Sequence, residues 1–199
     1  WDAWSSGPGF QWVEPYENIG AFLTPDGKMT PLAYLYQFPA CWIDFREKED
    51  KYGIDYWGMG VNALQANRRL CIDWGEENDY HPDLWGWTAC NGKNGYLGWG
   101  VPYNGTIAPS AAVASLPYMP EESLRSVKYM YDHHQLAWSK YGFVDAFDPG
   151  QAWYDNAFLG IDKGNEVLMI ENYRNEGVWL ELMKNPYVVA GMQKAGFIK

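Results

Sequence analysis

Cysteine, histidine and basic charge are all in short supply in this 199-residue sequence, and each shortage excludes something. The three cysteines, Cys41, Cys71 and Cys90, stand far apart with no C-x-x-C pair. An odd count without ligand spacing argues against both a disulfide framework and a zinc site. His133 and His134 are neighbours on an expected helix, so their rings diverge by about 100 degrees and cannot chelate one ion. His81 stands alone, and no metal and no cofactor are expected. Fifteen Lys plus Arg face 25 Asp plus Glu, a formal net charge of -10 and a pI near 4.7. That balance, with no Lys/Arg-rich run, leaves nothing to neutralise phosphates, so nucleic acid and anionic membrane surfaces are excluded as partners. No stretch approaches the ~18 apolar residues of a membrane span, so no membrane insertion is expected. There is no G-x-S-x-G elbow, Walker loop or dinucleotide fingerprint. The chain starts at Trp1 without a charged-then-apolar leader, so any targeting segment is expected to be removed or to lie outside this sequence.

What is abundant is aromatic: 12 Trp, 15 Tyr and 8 Phe in a chain that is 47% hydrophobic. Trp and Tyr join a flat apolar face to a polar handle, which suits a surface that must hold an amphipathic ligand such as a sugar ring. The same rings could equally fill a core. Their placement along the chain has to separate the two.

The first thirty residues are dense in turn formers (Gly7-Pro8-Gly9, Pro15, Thr24-Pro25-Asp26-Gly27) and read as loop with a short hairpin. A helix is predicted from Asp55 to Trp74, because Trp57, Val61, Leu64, Arg68 and Cys71 recur on one face. Tyr80 to Pro109 is loop-like, yet holds Trp85, Trp87, Tyr96, Trp99 and Tyr103. A long irregular segment so rich in rings is better read as functional than as disordered. A short helix near Ser110 to Leu116 follows. Pro120 then opens a long one with Glu121 and Glu122 in its first turn, a predicted buried stripe of Leu124, Val127, Tyr131, His134 and Trp138, and an end at Gly142. Tyr141 to Pro149 is loop or short extended chain. Helices over Asp162 to Tyr173 and Gly177 to Met183, and one starting at Pro186, complete a mainly α reading.

Most carboxylates sit in charged runs and read as solvated surface. Asp145 and Glu171 differ. Asp145 lies within Phe143-Val144-Asp145-Ala146-Phe147, and Glu171 follows Val167-Leu168-Met169-Ile170. A carboxylate set in apolar sequence is partly desolvated, which raises its pKa and suits it to general acid work. A structural role stays open for both, Glu171 having Arg174 three residues on. Asp44 and Arg46, in Cys41 to Arg46 (CWIDFR), read equally as site residues or as a buried ion pair.

Six segments in order then identify a resemblance: Trp1-Asp2-Ala3-Trp4, Trp42-Ile43-Asp44-Phe45-Arg46, Trp85-Gly86-Trp87-Thr88-Ala89, Thr106 to Leu116 (TIAPSAAVASL), Tyr141 to Phe147 (YGFVDAF) and Leu159 to Arg174 (LGIDKGNEVLMIENYR). Together they resemble the bacterial glucoamylase-like proteins, relatives of endo-β-1,2-glucanases and of the transglycosylating domain of cyclic β-1,2-glucan synthases. The resemblance implies an (α/α)6 toroid, a six-hairpin glycosidase-like fold around a sugar-binding cavity. Such a toroid needs about twelve helices at ~1.5 Å rise per residue, twice the number read above. The chain is therefore expected to be the C-terminal part of one catalytic domain, residues 1–199, with an N-terminal half elsewhere and a monomer when complete.

Asp145 and Glu171 are the catalytic candidates, Glu171 on its apolar context alone and Asp145 also by the resemblance, which matches it to a Glu acting as acid in the glucan-synthase relatives. Trp85, Trp87, Trp99 and Tyr96 would stack on sugar, while Asp44, Arg46, Asp162 and Arg174 would line or brace the cavity. In the glucan-synthase relatives the loop after Trp87 ends in a catalytic Glu; Ala89, Cys90 and Asn91 stand there instead. Ala40 replaces a frequent His, and Lys163-Gly164-Asn165 replaces Gln-Gly-Pro. The implied activity is hydrolysis of an oligo- or polymeric glucan by carboxylate acid/base catalysis in the periplasm or outside the cell. The rivals are a non-catalytic glucan-binding module and a transglycosylase on the same toroid.

Overall fold

A computed structural model of the chain describes residues 12–16, 19–22, 31–98 and 102–197. Strands β1 (Trp12–Tyr16) and β2 (Ile19–Phe22) pair antiparallel, the short hairpin expected in the first thirty residues. Helices α1 (Tyr34–Trp42) and α2 (Tyr56–Asn78) follow, then the hairpin β3 (Cys90–Gly92) and β4 (Gly95–Leu97). Next come α3 (Pro109–Val113) and α4 (Pro120–His133). Two more hairpins, β5 (Trp138–Ser139) with β6 (Gly142–Phe143) and β7 (Phe147–Asp148) with β8 (Trp153–Tyr154), precede α5 (Gly160–Asn175), α6 (Gly177–Leu182) and α7 (Pro186–Ala195). Helices carry the architecture and the strand pairs decorate its connections, so the fold is mainly α.

Helix α2 starts where Asp55 caps it, the carboxylate accepting from the Gly58 N–H at 2.9 Å, and ends at Asp79 in the left-handed region. Its buried face is made of small residues, among them Gly60, Ala63, Ala66 and Gly75, together with Leu64, Asn67 and Cys71. Small residues admit close neighbours: a Cβ on Gly60 would come within 2.8 Å of the Tyr118 ring. The predicted stripe is thus rotated. Leu64 and Cys71 lie on the buried face, whereas Trp57, Val61 and Arg68 are half-buried at its margin, Trp57 stacking on Tyr118 at 4.0 Å.

Helix α4 corrects the sequence reading more strongly. It ends at His133 rather than Gly142, and its buried residues are Ser123, Ser126 and Met130. Leu124, Tyr131 and Trp138 are exposed. The tail of the expected helix forms a 3-10 turn, Gln135–Ala137, and the β5–β6 hairpin, whose turn needs the positive φ of Gly142. Ser at two positions facing the core lets the flanking elements approach, a pattern that a search for apolar stripes passes over.

Helices α1 and α5 meet through polar side chains. Gln37 donates to the Ala111 carbonyl at 2.8 Å and to Ser115 Oγ at 2.9 Å, and accepts from Asn165 at 3.0 Å. Cys41 Sγ donates to Asn165 Oδ1, Asn172 donates to the Cys41 carbonyl, and Trp179 on α6 donates its indole N–H to the Ala40 carbonyl at 2.6 Å. Each buried group is satisfied, so the ladder fixes the register of α1 against α3, α5 and α6 instead of destabilising it.

The largest apolar cluster holds Trp85, Ile107, Met130, Phe143 and Phe147. Beside it Gly86, at φ +149, accepts at its carbonyl from the Ala108 N–H at 2.9 Å; a Cβ on Gly86 would collide with the Ala108 carbonyl oxygen. Asn67 holds the same loop from α2, donating to the carbonyls of Pro31 and Trp87 and accepting from the Trp87 N–H. These contacts place the 85–98 segment over the N-terminal ends of α1 and α5.

Candidate active site

The segment around Asp145 is anchored on both sides by backbone. Val144 N–H donates to Ala137, Asp145 N–H to Ala157 at 3.0 Å, and Phe147 exchanges both bonds with Ile107. The apolar neighbours Val144, Ala146 and Phe147 are buried in the core, which leaves the Asp145 carboxyl only 2% exposed. Its Oδ2 accepts from the backbone N–H of Asn91 at 2.7 Å. No N–H or hydroxyl donor among the described residues reaches its enclosed Oδ1.

Beside it lies Asp162, 5% exposed, in the first turn of α5. The two carboxyls lie close enough for the charge of one to act on the other. Burial pushes Asp145 up from the ordinary carboxylate range, with the charge of Asp155 adding to it and the Asn91 N–H, Asp162 and Lys163 opposing. Burial, then the Asp145 carboxylate and Glu166, push Asp162 up to about 7, against Lys163. Glu166 is raised by burial despite its 2.6 Å pair with Lys163. Two carboxyls this close cannot both ionise cheaply, so the pair retains a proton where an isolated Asp would have lost it.

The β3–β4 register sets Asn91 opposite Tyr96, and hence both side chains on one face. Asn91 also donates to Asp155 Oδ2 at 2.8 Å, closing the carboxylate cluster. Above it opens a cleft of about 270 Å³ lined by Tyr34, Phe38, Ala89, Tyr96, Ile161 and Asp162. Tyr96 is 63% exposed there, a ring with one free face. A larger apolar cavity of about 590 Å³, walled by Leu35, Pro39, Met59, Met192 and Phe197, contains no carboxylate and is no sugar site.

The structure therefore brings together three of the expected residues: Asp145, Asp162 and Tyr96. Trp85 is corrected, being 0% exposed within the core where no sugar can reach. Trp87 is half-buried against Tyr103. Trp99 lies outside the described residues. Glu171 does not join the pair: it sits nine residues beyond Asp162 on α5, about 14 Å along the axis, and its partner is Asn175. Arg174 is exposed.

Asp44 and Arg46 form a two-pronged ion pair at 2.8 and 2.9 Å, extended to Glu176 at 2.8 Å, with the guanidinium 4.4 Å over the Trp179 ring. That motif fastens the end of α1 to the α5–α6 junction. It braces the fold rather than the cleft. The sequence reading missed Asp155, Lys163, Glu166, Tyr34 and Phe38 as neighbours of the pair. Asn91 stood out only for not being an acid, whereas its contribution is a backbone N–H and an amide. Among the described residues no group of three or more His, Cys, Asp or Glu is arranged to hold a metal.

The glycoamylase family model matches residues 3–186. The chain belongs to that family. It is 33% identical over 188 residues to the exo β-1,2-glucooligosaccharide sophorohydrolase of Parabacteroides distasonis, covering 92% of this chain and 25% of that protein. It superposes on the endo-β-1,2-glucanase of Chitinophaga pinensis, crystallised with sophorotriose and glucose, with a TM-score of 0.87 and 31% identity, covering 98% of this chain and 48% of that one. A Bacteroides caccae protein assigned as a glucoamylase gives a TM-score of 0.90 at 30% identity, with the same 98% and 48% coverage. The chain thus spans about half the length of these solved relatives and a quarter of the curated one. Among the described residues no helix is long and apolar enough to cross a membrane.

Proposed function

We propose that this chain forms the C-terminal part of a glycoside hydrolase domain of the (α/α)6 toroid type that cleaves a β-1,2-linked glucan, with the Asp145–Asp162 pair as its acid/base element. The observation that carries the reading is the pair itself: two neighbouring buried carboxyls, one of which, Asp162, lines a cleft rimmed by Tyr96, Tyr34 and Phe38. A desolvated acid beside an exposed ring suits protonation of a glycosidic oxygen, Tyr96 holding the sugar by stacking and the acid kept protonated near neutral pH. The β-1,2 linkage is supported by the descriptions of the Parabacteroides distasonis and Chitinophaga pinensis relatives. A periplasmic or extracellular location fits a polymeric substrate.

Carboxyls this close cannot flank a glycosidic bond from opposite sides, which takes about 5–9.5 Å between them. Asp145 and Asp162 therefore act as one unit on one side of the bond. The carboxylate opposite comes from the rest of the toroid. Reducing-sugar release from linear β-1,2-glucan, with β-1,3-, β-1,4- and α-1,4-glucans alongside, tests the reading in the full-length protein. Selective turnover of the β-1,2 polymer is expected. Binding measured by calorimetry without hydrolysis would replace the enzyme with a glucan-binding module.

A further inference from the structure

We infer that the labour within the pair is divided, Asp162 being the proton donor that faces the cleft and Asp145 the buried anion that holds and orients that proton. This rests on the hydrolase reading above. Three observations separate the two residues. Asp162 lines the cleft beside Tyr96, Tyr34 and Phe38, whereas Asp145 does not. Asp145 Oδ2 is already committed to the Asn91 N–H, a donor that favours the charged carboxylate. Asp145 Oδ1 is enclosed and reached by no N–H or hydroxyl donor among the described residues, and a carboxyl beside a carboxylate bonds to it only by carrying a proton. A proton on Asp162 supplies what Asp145 lacks; a proton on Asp145 would weaken the bond from Asn91.

The charges facing the pair agree with that assignment. Lys163 and Glu166 come from α5 and neutralise each other in an ion pair. Asp155 is occupied by the Asn91 amide. Cys90, from the β3–β4 hairpin, is held neutral by burial, and the phenols of Tyr96 and Tyr34 are neutral in any case, so among the described residues Lys163 is the cation that acts on Asp145. In the reaction the bond between the anomeric carbon and the glycosidic oxygen breaks, its electron pair staying on that oxygen, which takes the proton from Asp162. Water adds its hydroxide to the anomeric carbon. The proton it releases passes to solvent, and solvent returns one to Asp162.

Two measurements on the full-length protein test this. The first is a carboxyl ¹³C titration of the wild type, Asp145→Asn and Asp162→Asn. Asp162 should titrate last in the wild type and shift to lower pH in Asp145→Asn, which removes the anion. Asp162 ionised throughout pH 4–8, or unmoved by Asp145→Asn, would overturn the inference. The second compares a β-1,2-glucooligosaccharide with 4-nitrophenyl β-sophoroside, whose leaving group needs no proton. Asp162→Asn should lose at least about 100-fold in kcat/KM on the oligosaccharide and under about 10-fold on the nitrophenyl substrate, and should lose the alkaline limb of the pH profile. Equal losses on both substrates in an active enzyme would overturn the donor role alone. Failure of the wild type to turn over either substrate would overturn the hydrolase reading and this inference with it, the titration still showing where the proton sits.

Discussion

Replacing Asp162 by asparagine should make the protein more stable while making it a worse catalyst. The folded-state pKa of Asp162 lies above its ordinary value, raised from 3.8 to about 7 by burial and then by the Asp145 carboxylate. The fold therefore favours the protonated acid. Its stability is greatest below the unfolded value and falls as pH rises towards the folded one. A gap of about three units at ~1.36 kcal/mol each sets a ceiling of ~4 kcal/mol for the cost at pH 8, and roughly half of that has accrued by pH 5 to 6. Asparagine cannot ionise, so Asp162→Asn removes this cost. Urea unfolding at pH 5 and pH 8 reads it directly. The wild-type midpoint should fall between the two pH values, the variant's should fall less, and the variant should be the more stable protein at pH 8. A variant less stable at pH 8, or with the same pH dependence as the wild type, would refute the claim that a buried, charge-opposed acid sits at position 162. Stability gained where activity is lost marks a group kept for function.

Trp85→Ala should cost ~3–5 kcal/mol in chemical denaturation, because the indole is wholly enclosed with Ile107, Met130 and Phe147. Tyr96→Ala should leave stability within ~0.5 kcal/mol yet weaken oligosaccharide binding about tenfold in calorimetry, the reverse of the Trp85 result. Gly86→Ala places a Cβ against the Ala108 carbonyl at φ +149 and should lower stability by ~1–3 kcal/mol, seen as a lower melting temperature. Asp44→Ala strips Arg46 of its two-pronged partner at the α1 end. It should cost ~1 kcal/mol of stability, with kcat/KM unchanged within about twofold, because this pair lies away from the cleft.

The helices were legible where their boundaries carry chemistry. The starts read at Asp55, Pro120, Gly177 and Pro186 are those the structure shows, Asp55 being the residue that caps α2. Their faces were less legible, because the core is lined by Gly, Ala, Ser and Asn. On α2 the close approach to Tyr118 depends on Gly60, and on α4 Ser123 and Ser126 turn inward while Leu124 and Tyr131 face out. An apolar-stripe criterion places such helices a step out of rotation.

At the site, Asp145 stood out from its apolar flanks, and the structure buries it as that context implies. Glu171 had the same signature without the same setting, since the apolar run before it is one turn of a helix whose inward face is Asp162, Asn165, Glu166, Met169 and Asn172. Asp162 lacked that signature and was singled out only through the family resemblance, as a residue lining or bracing the cavity. Only the fold, by setting the first turn of α5 beside Asp145, makes the two a pair. The aromatic excess divides as the composition could not: Trp85 is core, Tyr96 is cleft.

The most direct test is the initial rate of reducing-sugar release from linear β-1,2-glucan by the full-length wild type and its Asp145→Asn variant at matched folded concentration. A proton-sharing acid/base unit requires the variant to lose ~10²–10⁴-fold in rate while binding a β-1,2-glucooligosaccharide with little change. A variant that keeps its rate within a few fold would contradict the claim that this carboxyl pair performs the chemistry.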